Sequence, residues 1–259
     1  MASLTIGILT LNEERRIASC IESAAFADQI IVVDSGSSDQ TVAIARAKGA
    51  EVFSYPDWQG FAVQRNRLLA HATGDYIFFL DADEQLPQAS HAEINRAVAS
   101  GEDAVWKIRW RMVAFGQELK YLRSTSLVER LFKRSSLVAF KGVVHEEAVL
   151  NSEPVPRHVL PTPVLHYSRD TVRDALEKLT QYSILGAKKR LDAGKRGGVM
   201  RGLFSGISMF VRLYFFKGGV LCGSAGFLYC VFVALEAFMR YAALRYDADS
   251  LAVNIGRGS

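Results

Sequence analysis

A chain of 259 residues with a formal net charge of +4 is long enough for one large domain, or for a domain with an appendage. Hydrophobic residues make up 49% and charged residues 22%, and the mean hydropathy of +0.10 fits a globular protein whose apolar excess is concentrated in some segment. Three scattered cysteines, Cys20, Cys222 and Cys230, argue against a disulfide framework and for a reducing, cytoplasmic setting, and "MASLTIGILTLNEERR" has no basic n-region or small-residue cleavage site, so no signal peptide is expected.

In chain order, short apolar runs at 4–10, 29–34, 51–55 and 75–80 read as buried strands, and the stretches near 13–25, 39–48, 61–72 and 88–100 read as helices. Strands separated by helices predict βαβ units and a mostly parallel sheet covered on both faces. Asn12, and Ser38 or Asp39, are the expected helix N-caps, and Gly49 a C-cap. From 104 to 160 the pattern changes. "AVWKIRWRM" and "LVERLFKR" read as longer strands of an antiparallel extension, and "NSEPVPRHVLPTPVLHY", with four of the six prolines, as an irregular connection. From about Asp170 the pattern is helical.

Three polar clusters fall at strand ends, where parallel α/β sheets bind their ligands. They are "TLNEE" (10–14), "DSGSSD" (34–39) and "DADE" (81–84). Asp81 and Asp83 straddle one residue and project to the same side of an extended backbone, a hard-oxygen pair suited to Mg²⁺ or Mn²⁺ arriving with a diphosphate. A solvated turn is the competing reading. The small residues after Asp34 permit close backbone approach; Asp34 itself would repel a phosphate and suits a base N–H or a ribose hydroxyl. No G-x-G-x-x-G follows the first strand, which disfavours a Rossmann dehydrogenase.

Taken together, "TLNEE", "IIVVDSGSSDQT", "QRN" and "GDYIFFLDADE" resemble the family 2 glycosyltransferases over residues 4–100, and "ERLFKR" and "GVVHEE" extend the likeness toward bacterial lipopolysaccharide core β-glucosyltransferases. The resemblance implies an α/β fold of the GT-A type: a Rossmann-like, mostly parallel sheet flanked by helices, in a catalytic domain over 1–160 with a helical C-terminal region over 161–259. It also implies a UDP-sugar donor, with Thr10, Asn12, Glu13 and Asp34 lining the uridine pocket and Arg65 and Asn66 near the nucleotide or its diphosphate. Asp81 would contact the ribose or metal and Asp83 would ligate Mg²⁺ or Mn²⁺, with His145 able to complete the metal shell. The family is inverting, so an α-linked donor would give a β-glycoside, with Glu129, Glu146 and Glu147 as candidate general bases. The reaction the resemblance implies is transfer of glucose from UDP-glucose to a heptose of the lipopolysaccharide inner core, with transfer to a polyprenyl phosphate or another glycolipid as the alternative in the same class. A metal-dependent nucleotidyltransferase and a non-catalytic nucleotide-sugar binding module are the alternatives from other classes. The former would want a glycine-rich triphosphate loop that "TLNEERR" lacks.

The basicity lies in one segment. Lys188 to Tyr246 holds ten Lys or Arg against two acids, Asp192 and Glu236, and the apolar excess is there too. That pairing suggests an anionic membrane surface, with no nucleic-acid partner. Residues 218–235 contain no charge, yet the run is short for a span and is followed by Glu236. Helices lying in the interface, on the cytoplasmic face of a bacterial inner membrane, are the preferred reading, since a lipid-linked saccharide acceptor would make attachment useful. A true span, or an apolar helix buried in protein, is the alternative.

Overall fold

The first apolar run forms β1 (Leu4–Thr10), whose seven residues are all buried. It is followed by α1 (Ile17–Ser23), β2 (Gln29–Asp34), α2 (Thr41–Ala47), β3 (Glu51–Ser54), α3 (Phe61–His71) and β4 (Tyr76–Asp81) in the computed structural model, which describes residues 2–124, 126–142, 146–152 and 154–252. The strands pair in parallel, β1 with β2 and β4, and β2 with β3. Alternation sends Ile6, Ile8, Phe78 and Leu80 into one core with Ile17 and Ile21 of α1, and Ile31, Val33, Ile77 and Phe79 into a second with Leu68 of α3. Gly7 lets α3 close on the sheet, because a Cβ there would lie 3.1 Å from Leu68 Cδ2. Gly49, at φ +84°, ends the turn after α2 as expected. Asn12 does not cap α1. It takes φ +53° and its Oδ1 accepts from the Ser38 N–H at 2.9 Å, so it joins two strand-end loops instead.

Beyond β4 come β5 (Glu84–Gln85), α4 (Gln88–Ala99), β6 (Val105–Ala114), β7 (Gln117–Glu118), β8 (Leu127–Lys133), β9 (Leu137–Lys141), β10 (Glu147–Leu150), β11 (Arg157–Val159) and β12 (Val164–Arg169). The strand order is β3-β2-β1-β4-β8-β6-β12-β5. β8 runs antiparallel to both β4 and β6, which is the antiparallel extension read from the sequence. The proline-rich segment is more regular than its composition suggests. It contains β11 and leads into β12, and β12 pairs with β5 so that His166 lies opposite Glu84.

The chain divides into two compact units, Met1–Trp110 with Thr125–His166, and Arg111–Ser124 with Tyr167–Ser259. In the second unit lie α5 (Val172–Asp192), α6 (Val199–Val211), a π turn (Arg212–Phe216), a 3₁₀ turn (Gly219–Cys222), α7 (Gly223–Tyr246) and α8 (Ala248–Ala252). Ala114, Leu119 and Leu122 form a small core with Ala225 of α7. Arg169 and Glu236, both buried, form an ion pair, with the guanidinium 5.0 Å from the Tyr229 ring centroid. The acid that interrupts the apolar tail is therefore paired inside this unit. Thr171 caps the start of α5, its hydroxyl accepting from the Asp174 N–H at 3.1 Å. Thr171→Ala is expected to cost about 1 kcal/mol, read as a lower urea midpoint at unchanged slope.

Candidate active site

The register of the parallel strands aligns their carboxyl ends: Thr10 lies opposite Asp34, and Leu9 opposite Asp81. β1 has β2 on one side and β4 on the other, with β3 outside β2, so the strand order reverses at β1 and leaves a crevice beyond these ends. Here the loop after β2 is built by Asp34. Its carboxylate accepts from the backbone N–H of Gly36 at 3.0 Å and of Ser37 at 3.1 Å, and from the Ser37 hydroxyl. The Asn12 N–H donates to Ser37 Oγ at 2.8 Å, and the Glu13 N–H to Thr41 Oγ1 at 2.8 Å. Thr10 is buried, and its hydroxyl has no hydrogen-bond partner among the described residues. Such an unsatisfied polar atom at a strand end fits a ligand polar group completing its shell.

At the end of β4 the carboxylates have found cations from the chain itself. Arg130, in the middle of β8 and 1% exposed, reaches with Nη2 to Asp81 Oδ2 at 2.6 Å and to Glu84 Oε1 at 2.7 Å. Glu84 also accepts from the Trp110 indole N–H and, at 3.0 Å, from the Asp81 N–H, so it is buried with its oxygens satisfied. Arg65 of α3 lies with Nη2 3.6 Å from Asp81 Oδ1 and donates through Nε to Glu146 at 2.9 Å. Its guanidinium rests between Phe79 and Phe140, 5.4 and 5.6 Å from the ring centroids. Asp83 faces His166, with Oδ2 to Nε2 at 3.2 Å.

These contacts set the protonation states. Burial favours the neutral form of Asp81, but Arg130 and then Arg65 overcome it and hold the carboxyl well below its ordinary value. Burial dominates at Glu84 and lifts it, against the pull of Arg130. At His166 burial opposes the charge, yet the hydrogen bond and charge of Asp83, with Glu84 and Asp81 behind, raise the imidazole above its usual value.

The structure thus gathers Asp81, Asp83, Arg65 and Glu146 with Glu84, Arg130, Trp110 and His166. It does not bring Glu129 or Asn66 into that cluster. Glu129 projects from the opposite face of β8 and pairs with Lys107 at 3.4 Å and Arg157 at 3.1 Å. The Asn66 amide is taken up at both ends by the backbone of Phe140, at 2.7 and 3.1 Å. Glu147 is exposed at the start of β10. His145 lies outside the described residues.

Could this site hold a divalent cation? Asp83 and His166 are each about a quarter exposed, and the second imidazole nitrogen, Nδ1, is buried and has no hydrogen-bond partner among the described residues. Among the described residues no three ligand-type side chains are placed to hold one ion together, Asp81 and Glu84 being turned to Arg130. Two protein donors at an open edge leave room for a cation to take its remaining ligands from a substrate diphosphate and water; the Asp83 carboxylate is the hard donor that Mg²⁺ and Mn²⁺ prefer, and the His166 imidazole the softer one.

The sequence profile described as glycosyl transferase family 2 matches residues 5–141, more than half of the chain. The chain is a family 2 glycosyltransferase. This glycosyltransferase is 29% identical over 253 residues to the lipopolysaccharide core biosynthesis glycosyltransferase LpsC of Rhizobium meliloti, covering 93% of this chain and 91% of that one. It is 28% identical over 256 residues to an uncharacterized glycosyltransferase of Rickettsia typhi, covering 95% and 87%. Among solved structures, it aligns to glucosyl-3-phosphoglycerate synthase from Mycobacterium tuberculosis, in complex with Mn²⁺, UDP and phosphoglyceric acid, with a TM-score of 0.39 and 25% identity over 52% of this chain and 58% of that one. The likeness to TarS of S. aureus has a TM-score of 0.42 and 22% identity, over 51% and 28%.

Sequence reasoning named Arg65 but missed the cluster's other two basic residues, Arg130 and His166. Arg130 lies one residue beyond Glu129 in "ERLFKR", and an arginine within a buried strand is itself a signal, since such a charge needs a partner. His166 sits in "VLHYS", an apolar-flanked histidine just beyond the last proline. The proline count hid the strand that carries it.

Proposed function

We propose that the enzyme transfers a hexose, glucose from UDP-glucose, to a heptose of the lipopolysaccharide inner core, with inversion to a β-glycoside. The acceptor's place in core biosynthesis is supported by the full-length likeness to LpsC. The observation that carries donor chemistry is the Asp83–His166 pair, open at the strand-end edge beside the Asp81–Arg130–Arg65 network. Thr10, Asn12, Glu13 and Asp34 form the nucleoside side of the crevice, Thr10 offering its unsatisfied hydroxyl. Asp83 and His166 would hold Mg²⁺ or Mn²⁺, which when bound stabilises the departing nucleoside diphosphate. Arg65 orients Glu146, the carboxylate in this network best placed to accept the proton of the acceptor hydroxyl. In this reading residues 1–160, together with His166 just beyond them, carry the transfer, and the helical remainder of 161–259 holds the enzyme on the cytoplasmic face of the inner membrane, where the lipid-linked acceptor is found.

The test is binding and turnover of UDP-, GDP- and dTDP-sugars by the purified full chain, with and without Mg²⁺ or Mn²⁺. Metal-dependent binding of one UDP-sugar supports the reading. Binding without turnover in the presence of core acceptor points to the binding module, and use of a nucleoside triphosphate to the nucleotidyltransferase. Glu146→Gln should lower kcat about a hundredfold with donor KM little changed, as removal of a general base does. An unchanged kcat would assign Glu146 to positioning Arg65 alone.

A further inference from the structure

Along α6, Met200, Leu203, Phe204 and Ile207 recur at the spacing of one helix face, and all four are exposed, Phe204 by 68%. The other face of the helix is occupied. Gly202 and Gly206 lie against α7, where a Cβ would come within 2.7 Å of the Phe238 carbonyl oxygen and 3.0 Å of that of Ala234. The apolar stripe therefore faces away from α7, and exposed Phe215, Phe216 and Leu221 continue it past the helix end.

Each end of this stripe opens into a basic cleft. Lys195, Arg196, Arg201 and Arg245 line a cavity of about 780 Å³ beside Met200. Lys120 and Arg123 line one of about 330 Å³ beside Phe215, Phe216 and Leu221. No carboxylate lines either cleft among the described residues. The whole unit carries seventeen Lys and Arg against eight Asp and Glu. A second copy would set these cations against their like, whereas an anionic surface complements them.

A span is disfavoured by what holds the turn after α6. The Arg123 N–H donates to the Lys217 carbonyl at 2.9 Å, and a Cβ at Gly218 would lie 2.3 Å from the Tyr121 carbonyl oxygen. The segment 111–124, with its exposed cations, would have to cross along with the helices.

We infer that α6 lies in the surface of an anionic phospholipid bilayer, its apolar stripe among the acyl chains and the headgroup phosphates seated in the two basic clefts. This deepens the membrane part of the proposed function and is independent of which sugar is moved. Guanidinium groups suit phosphate oxygens, and the stripe supplies the apolar area that interfacial helices bury.

The experiment is co-sedimentation of the full chain with vesicles of phosphatidylcholine alone and of equal parts phosphatidylcholine and phosphatidylglycerol. Binding is expected only to the anionic vesicles, and to weaken with salt. Lys120→Ala with Arg123→Ala should lower partition about thirtyfold. Phe204→Ser should lower it about tenfold, with nucleotide-sugar binding in the absence of vesicles unchanged as the control for folding. Equal binding to neutral vesicles, or wild-type partition of both variants, overturns the inference. Resistance to alkaline carbonate extraction overturns it in favour of a span, and a dimer dissociated by Phe204→Ser in favour of a second copy. Vesicle binding without any turnover would leave the inference standing and sink the transfer reading; turnover without vesicle binding would do the reverse.

Discussion

Arg130→Leu is expected to destabilise the protein by about 3–5 kcal/mol and to abolish turnover, because it removes one partner of a buried ionic cluster and leaves the others. The Arg130 side chain is 1% exposed, and so is that of Glu84. Without the guanidinium, Glu84 keeps only the Trp110 indole and the Asp81 N–H, and two carboxylates face each other in a poorly solvated place. Asp81 keeps its 3.6 Å contact to Arg65, while Glu84, buried beside it, is driven further toward its neutral form. The comparison that isolates this cost is a double-mutant cycle in urea, with Arg130→Leu, Glu84→Gln and the pair together. The double variant should recover a large part of the lost stability, since the buried charge is gone from both sides. It should not recover activity, because Asp81 still lacks Arg130, the larger of the two cationic partners that hold it ionised, and keeps Arg65 alone. Were Arg130→Leu alone to unfold within about 1 kcal/mol of wild type, the cluster would be better solvated than its contacts require.

Asp83→Ala should reduce turnover by about 10²–10³ while leaving stability close to wild type, since Asp83 is partly exposed and its contact is to a histidine rather than to a buried arginine. His166→Ala should reduce turnover in the same direction. The pair also predicts how cation affinity varies with pH. His166 is raised above its usual value by Asp83, so at mildly acidic pH the imidazole carries a proton that a cation at Nε2 must displace. Apparent Mn²⁺ affinity should therefore rise with pH through the raised value and level off above it. In His166→Ala that proton is absent and the profile should be flatter. Calorimetric titration of both proteins from about pH 6 to about pH 8 measures this directly. A wild-type affinity that ignores pH would remove His166 from the cation site.

The alternating elements of the first hundred residues were legible because their signals are local. The runs at 4–10, 29–34 and 75–80 are short apolar stretches, and α2 and α3 begin and end within about two residues of the expected bounds, whereas α1 starts only at Ile17, four residues later than read, because Asn12 is held by the loop after β2. The acids after β4 were legible as a site for the same reason: charge follows directly on a strand buried on both faces. The asymmetry of the basic, apolar tail could likewise be counted along the chain. Which carboxylate has which partner could not be read this way. Asp81 meets a cation 49 residues further on, and Asp83 one 83 residues further on. Those meetings depend on the antiparallel register that sets Phe78 opposite Leu131, and on the pairing that sets His166 opposite Glu84. Side chains alternate along a strand, so a slip of one residue would turn Arg130 away and present Glu129 in its place. Local propensity thus determined the elements and the edge at which the acids lie. Strand register, a property of the assembled sheet, decided that Arg130 faces the acids and that Glu129 does not.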